Sequence, residues 1–90
     1  MEQVHTFSIV FYLRIARVDK EGRSPIVCRM TIDGKRTEIQ TSCKLEYHYW
    51  DKNRGRAIGS LGQVRSINQY LEQFKAKLIQ HYSEMRFRGE

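Results

Sequence analysis

Hydrophobic and polar residues alternate with period two along three stretches of this chain, then give way to a spacing of three and four over its last third. From Thr6 to Arg14, Phe7, Ile9, Phe11 and Leu13 fall on one side and Ser8, Val10, Tyr12 and Arg14 on the other, which predicts a strand. Ile26 to Ile32 and Lys35 to Cys43 alternate in the same way around Asp33-Gly34, a pair favoured in two-residue hairpin loops because both central residues must reach positive φ. With that pair as the loop, Thr31 faces Arg36, Arg29 faces Glu38 and Val27 faces Gln40 on one side of the hairpin. Met30/Thr37, Cys28/Ile39 and Ile26/Thr41 share the other, apolar side. A slip of the loop to Gly34-Lys35 would move the pairing by two residues and keep both faces.

Between the first and second strands, Ile15 to Pro25 carries Arg17, Asp19, Lys20, Glu21, Gly22 and Arg23. It is too polar and too broken by Gly and Pro for a regular element, and reads as a linker with Lys20-Glu21-Gly22 at its tip. After Cys43 come the aromatic-rich run Lys44 to Asp51 and then Lys52 to Gly59, a connection rather than a fourth strand of comparable strength. Trp50 is expected to plug the open edge of a small core, because one indole supplies much of the burial available to so short a chain; an exposed stacking role is the alternative. From Ser60 a helix is predicted, with Gln63 completing a capping box and Val64, Ile67, Leu71, Phe74, Leu78 and Met85 forming one stripe that continues through His81 or Tyr82. At 1.5 Å per residue, about 25 helical residues span about 37 Å, whereas a seven-residue strand spans about 24 Å. The last turns, with Tyr82, Met85, Arg86, Phe87 and Arg88, are therefore expected to overhang the sheet.

These elements predict an α+β fold: a three-stranded antiparallel sheet packed against one long C-terminal helix, forming a single domain over residues 1–90. A chain of 90 residues buries only about 60% of its unfolded surface, so one sheet and one helix fill it. The balance of 16 Lys and Arg against 10 Asp and Glu gives a net charge of +6, which favours an anionic partner and also serves solubility alone. Cys28 and Cys43 both fall on apolar sides of strands and read as small buried hydrophobes of a reducing compartment. No apolar run approaches the ~20 residues of a membrane span, and the N-terminus lacks a signal-peptide layout, so the chain is expected to be intracellular.

The helix claims one face of the sheet and leaves the other free. That free face should display Ser8, Val10, Tyr12 and Arg14, then Val27, Arg29 and Thr31, then Arg36, Glu38, Gln40 and Ser42, with Lys35 at the turn. Arg, Gln, Thr, Ser and Tyr are the donors and acceptors that read base edges and hold phosphates, and a narrow sheet fits a major groove about 12 Å wide. The plainer reading is a solvated face with a cross-strand Arg29–Glu38 pair worth under about 1 kcal/mol. His5, His48 and His81 are scattered without ligand spacing, and no phosphate-cradling glycine motif or nucleophile with a nearby base is present. No catalytic residue, metal site or cofactor is expected. The amphipathic helix has the character of a membrane-surface element, yet its stripe is needed to cover the sheet.

Several features fall in a recognisable order: a strand ending Tyr12-Leu13-Arg14, a Ser24-Pro25-Ile26 strand entry, the Thr31-Ile32-Asp33-Gly34-Lys35-Arg36 hairpin, Trp50-Asp51 followed by Gly55-Arg56, and Ile67-Asn68-Gln69-Tyr70-Leu71 on the helix. Together they resemble the N-terminal arm-type DNA-binding domain of tyrosine site-specific recombinases, the phage and transposon integrase class, in the form common in Bacteroides-type bacteria. The resemblance spans nearly the whole chain. It departs at Glu46-Tyr47, where a proline before the tryptophan is the pattern, a difference that bears on local loop shape. The resemblance implies a sheet that enters the major groove of arm sites flanking a recombination core in double-stranded DNA. Carried onto this chain, the readers are Arg14, Arg29, Thr31, Arg36, Glu38 and Gln40, with Tyr12 and Lys35 in support and Lys44, Arg54 and Arg56 on phosphates. It further implies that the strand-exchange tyrosine lies in another domain of a longer integrase, that other protomers or a downstream core-binding domain are partners, and that the protein resides in the bacterial cytoplasm on the nucleoid. Neither a membrane nor a small-molecule substrate is implied. Two rival readings of the same residues are a protein-interaction module that docks through the helix overhang, and an RNA-binding sheet that stacks single-stranded bases on surface aromatics.

Overall fold

The computed structural model describes residues 7–60 and 62–87, with side chains through Met85. Strand β1 (Phe7–Leu13) pairs antiparallel with β2 (Arg23–Ile32), which pairs antiparallel with β3 (Lys35–Glu46), so β2 is the central strand of an α+β meander. A two-residue β4 (Trp50–Asp51) pairs with β5 (Arg56–Ala57), and helix α1 (Gly62–Phe87) closes the chain. The Thr6 start of the first strand and the Arg86, Phe87 and Arg88 side chains of the expected overhang lie outside the described residues. The capping box at Ser60 and Gln63 spans Leu61, which also lies outside them.

The hairpin forms around Asp33 and Gly34, whose φ angles of 50° and 85° are the positive values that a two-residue loop demands. Thr31 pairs with Arg36, Arg29 with Glu38 and Val27 with Gln40, as the alternation requires. Beyond Val27 the register slips, because three residues of β3 (Thr41, Ser42, Cys43) stand opposite Ile26 alone before Lys44 pairs with Pro25. The buried Thr41 hydroxyl satisfies this bulge: it donates to the Ile26 carbonyl at 2.7 Å and accepts the Cys43 N–H at 3.2 Å. Pairing resumes as far as Arg23 with Glu46, so both strands run three residues further than the linker and the Cys43 end predict. The slip is by two, so each side chain keeps its face.

Ile26, Leu45, Trp50, Ala57, Val64 and Leu71 make the core, with Phe11, Leu13, Cys43, Tyr49, Ile67 and Tyr70 packed around it. Fully burying an aliphatic side chain such as Ile26, Leu45 or Leu71 contributes about 1.5–3 kcal/mol, and β2, β3 and the helix each supply one. Trp50 is buried, as an edge plug should be. Phe11 meets Phe74 edge-on and Phe7 stacks on Tyr82 at 4.2 Å, so the helix stripe passes through Tyr82, not His81. Tyr82 thus belongs to the packed part of the helix and not to the overhang. Met85, 46% exposed, falls outside the stripe, because Phe7, the first described residue of β1, is already covered by Tyr82.

The connection after β3 is held by two polar devices. Asp51 accepts the Asn53 and Arg54 N–H groups on Oδ1, and its carbonyl accepts the Gly55 N–H at 2.8 Å, which turns β4 back into β5. Asn68 on α1 then pairs its amide with both backbone groups of Ala57, at 2.9 Å each. The Lys20-Glu21-Gly22 tip is likewise formed, with Asp19 Oδ1 accepting the N–H groups of Glu21 and Arg23 at 2.9 Å. Those bonds, Arg23's first, hold the Asp19 carboxyl below its ordinary range. Among the described residues no helix is long and apolar enough to cross a membrane.

Candidate nucleic-acid interface

Helix α1 covers the face that carries Phe7, Phe11, Leu13 and Ile26, and so leaves the opposite face of the sheet without a helix packed on it. Pairing arranges that face in cross-strand rows: Ser8, Thr31 and Arg36; Val10, Arg29 and Glu38; Tyr12, Val27 and Gln40. Beyond these, the Arg14 N–H donates to the Pro25 carbonyl, and Pro25 pairs with Lys44. Arg36, Glu38 and Gln40 are exposed, while Arg14, Arg29 and Thr31 are half-buried. Lys35, expected in support at the turn, stands off this face: it pairs with Ile32, and Ile32 with Phe7, on the helix side of the register.

At the centre of the face, four side chains converge. Arg14 donates to Glu38 Oε1 and to the Tyr12 hydroxyl at 2.6 Å each, and Tyr12 donates to Glu38 Oε2 at 2.5 Å. Arg29 lies over the Tyr12 ring, its guanidinium carbon 4.9 Å from the centroid, and reaches Glu38 Oε2 at 3.4 Å. Tyr12 stands on β1, Arg14 directly follows that strand and Glu38 stands on β3, so these bonds cross above the central strand, a span of two strand spacings or about 10 Å. Val27 lies beneath them. It was expected to be displayed on the free face, and instead only 4% of it is exposed, because the long side chains of its neighbours meet over it.

This geometry sets the electrostatics. The Tyr12 hydroxyl and then the Arg14 guanidinium hold the Glu38 carboxyl down at about 2, from an ordinary value of 4.5. The same bonds to Tyr12 and Glu38 raise Arg14 further above its ordinary range. Glu38 is therefore charged, with both of its oxygens hydrogen-bonded to neighbours on the face.

The expected phosphate contacts divide between the two flanks. Lys44, on the β3 edge, makes an ion pair with Asp19 at 3.6 Å. Arg54 and Arg56 stand on the β4–β5 turn, which docks on the β1 edge: a Cβ at Gly55 would lie 3.2 Å from the Phe11 carbonyl. Arg54 pairs loosely with Asp51 at 3.7 Å, and Arg56 is exposed. Here the sequence reading missed cations, since Lys52 and Lys75 join Arg54 and Arg56 around a groove of about 280 Å³ that Val10 and Asn68 also line. Lys75 sits on the helix 19 or more positions from the others, so no local spacing announces the cluster. Arg17, on a short 3-10 turn (Ile15–Arg17), was missed likewise and lines a recess with Arg14, Val27 and Gln40.

Among the described residues no three His, Cys, Asp or Glu side chains come together as a metal site. What the face offers is hydrogen-bond donors and positive charge, the chemistry that holds phosphates and reads base edges. Searches among curated proteins and among solved structures returned no match. The family model described as Arm DNA-binding domain matches residues 11–90, a span that takes in the central strand, the face cluster, the basic flank and the helix. The chain belongs to the Arm DNA-binding domain family and is a DNA-binding module.

Proposed function

We propose that this module binds double-stranded DNA sequence-specifically, with its sheet in the major groove of arm sites that flank a recombination core. The observation that carries this reading is the bare sheet face, donor-rich and with its one carboxylate internally neutralised. Its outer strands lie about 10 Å apart, against a groove about 12 Å wide. Arg14, Arg29, Thr31, Arg36, Glu38 and Gln40, with Tyr12, line the reading side, and Lys44, Arg54 and Arg56 meet phosphates at the edges, Lys35 lending charge at the hairpin end. The domain positions a longer integrase for integration and excision, and the strand-exchange chemistry belongs to another part of that protein. The RNA reading is disfavoured by Tyr12: its ring, the aromatic of this face, is already covered by Arg29 and offers no bare platform for a base.

The test is a titration of the chain with duplexes enriched from a randomised pool and with scrambled versions of them, across a range of salt. Preferential binding with a log–log salt slope of about −0.9 per neutralised phosphate is the expected result. Binding indifferent to sequence and unaffected by Arg36→Ala and Arg29→Ala would overturn the proposal and favour a protein-interaction role for the helix.

A further inference from the structure

We propose that the central cluster divides its labour: Arg29 is the specificity-determining residue that reads a guanine, and Tyr12, Arg14 and Glu38 are positioning residues that hold its guanidinium in place. The inference rests on major-groove binding by this face and goes further, because it separates reader from support among residues that sequence alone leaves equivalent.

Glu38 is badly placed to read a base itself. A carboxylate recognises cytosine by accepting from its N4 amino group. Here Oε1 is taken by Arg14 at 2.6 Å and Oε2 by Tyr12 at 2.5 Å, with Arg29 beside it at 3.4 Å. Charge-assisted bonds of this length are about twice as strong as neutral ones and fix the orientation of the carboxylate, so a cytosine amino group could use only the lone pairs that they leave. Arg14 is the more tightly held of the two arginines, since its Nη2 serves both Glu38 and the Tyr12 hydroxyl at 2.6 Å each.

Arg29 is held more loosely, by one hydrogen bond of 3.4 Å. It stands on the central strand, flanked by Val10 and Glu38 in its row. Its guanidinium is supported from one side by the Tyr12 ring and steered by one long bond to Glu38. An arginine carries five N–H donors in a rigid fork, and only one of its nitrogens is used among the described residues. The remaining donors suit the paired acceptors O6 and N7 of guanine. The ring and the carboxylate restrict a side chain that would otherwise sample many rotamers, so its ordering is in place before DNA arrives.

The experiment starts from the duplex that the intact chain selects from a randomised pool and measures affinity for every single-base-pair substitution of it. Arg29→Ala and Arg29→Lys should each lose the preference at one guanine, a change of about ten-fold or more, with Arg29→Lys retaining the affinity for scrambled duplex. Tyr12→Phe and Glu38→Gln should weaken the preference at that same base pair and add little when combined with Arg29→Ala. Replacing that guanine by 7-deazaguanine, which lacks N7, should weaken binding by the intact chain and leave Arg29→Ala unmoved. Circular dichroism and thermal melting of each variant separate these effects from loss of fold. Loss of discrimination at a different base pair in Glu38→Gln would show that Glu38 reads a base itself, and a uniform loss on all sequences in Arg29→Ala would make it a phosphate contact; either overturns the assignment while leaving groove binding intact. An intact chain with no sequence preference at all would overturn both.

Discussion

Asn68 on the helix holds both backbone polar groups of Ala57, accepting its N–H on Oδ1 and donating Nδ2–H to its carbonyl, each at 2.9 Å. Ala57 is buried in the core, so its backbone groups have limited access to water in place of these bonds. One amide thereby ties the β4–β5 hairpin, and the basic flank it carries, to α1. Asn68→Ala should destabilise the domain by about 1–3 kcal/mol for each backbone group left unsatisfied. Urea unfolding should show a lower midpoint with an unchanged slope, and Asn68→Asp, which keeps only the acceptor, should also be destabilising.

Gly55 and Gly34 both have positive φ, 64° and 85°, but only Gly55 is crowded. A Cβ there would stand 3.2 Å from the Phe11 carbonyl, whereas nothing lies within 4 Å of one at Gly34. Gly34→Ala should cost about 1–2 kcal/mol from backbone conformation alone. Gly55→Ala should cost more, because the β4–β5 turn must also move off the β1 edge. Paired thermal melts give the difference directly.

Glu38 supplies a pH signature. Its carboxyl titrates at about 2 in the folded chain against an ordinary 4.5, so the unfolded state binds the proton more readily across that window. The stabilisation is therefore fully present above pH 4.5 and fades as pH falls toward 2. The stability difference between the wild type and Glu38→Gln should shrink over that range and stay flat between pH 5 and about 8. A carboxyl resonance of Glu38 titrating near 4.5 would contradict this.

The basic flank and the reading face should separate by salt. Arg54→Ala and Arg56→Ala are expected to weaken binding about equally for all sequences and to lower the salt slope by about 1 each. Arg36→Ala, if its fork meets a base, should instead cost about 1–3 kcal/mol on the preferred duplex and much less on scrambled DNA. Fluorescence anisotropy at several salt concentrations distinguishes the two patterns.

Much of this fold was determined locally. Period-two alternation sets which residues of each strand share a face, and the Asp33-Gly34 pair sets the hairpin register because few other residues tolerate the φ angles its loop requires. The three-and-four spacing sets the helix face in the same way. For that reason the sheet, the helix, the free face and the Arg29–Glu38 pair were all legible in the amino-acid sequence. The bulge at Thr41 was not, because a slip of two leaves the alternation unchanged, and the hydroxyl that satisfies it reveals itself only opposite Ile26. Nor were the burial of Val27, the convergence of Tyr12, Arg14 and Glu38, and the gathering of Lys52 and Lys75 beside Arg54 and Arg56. Those join side chains from strands that are not neighbours, or from a helix and a turn, so they depend on sheet twist, strand order and where the helix docks. Pattern decided what each element offers; only packing in three dimensions decided which of those side chains meet.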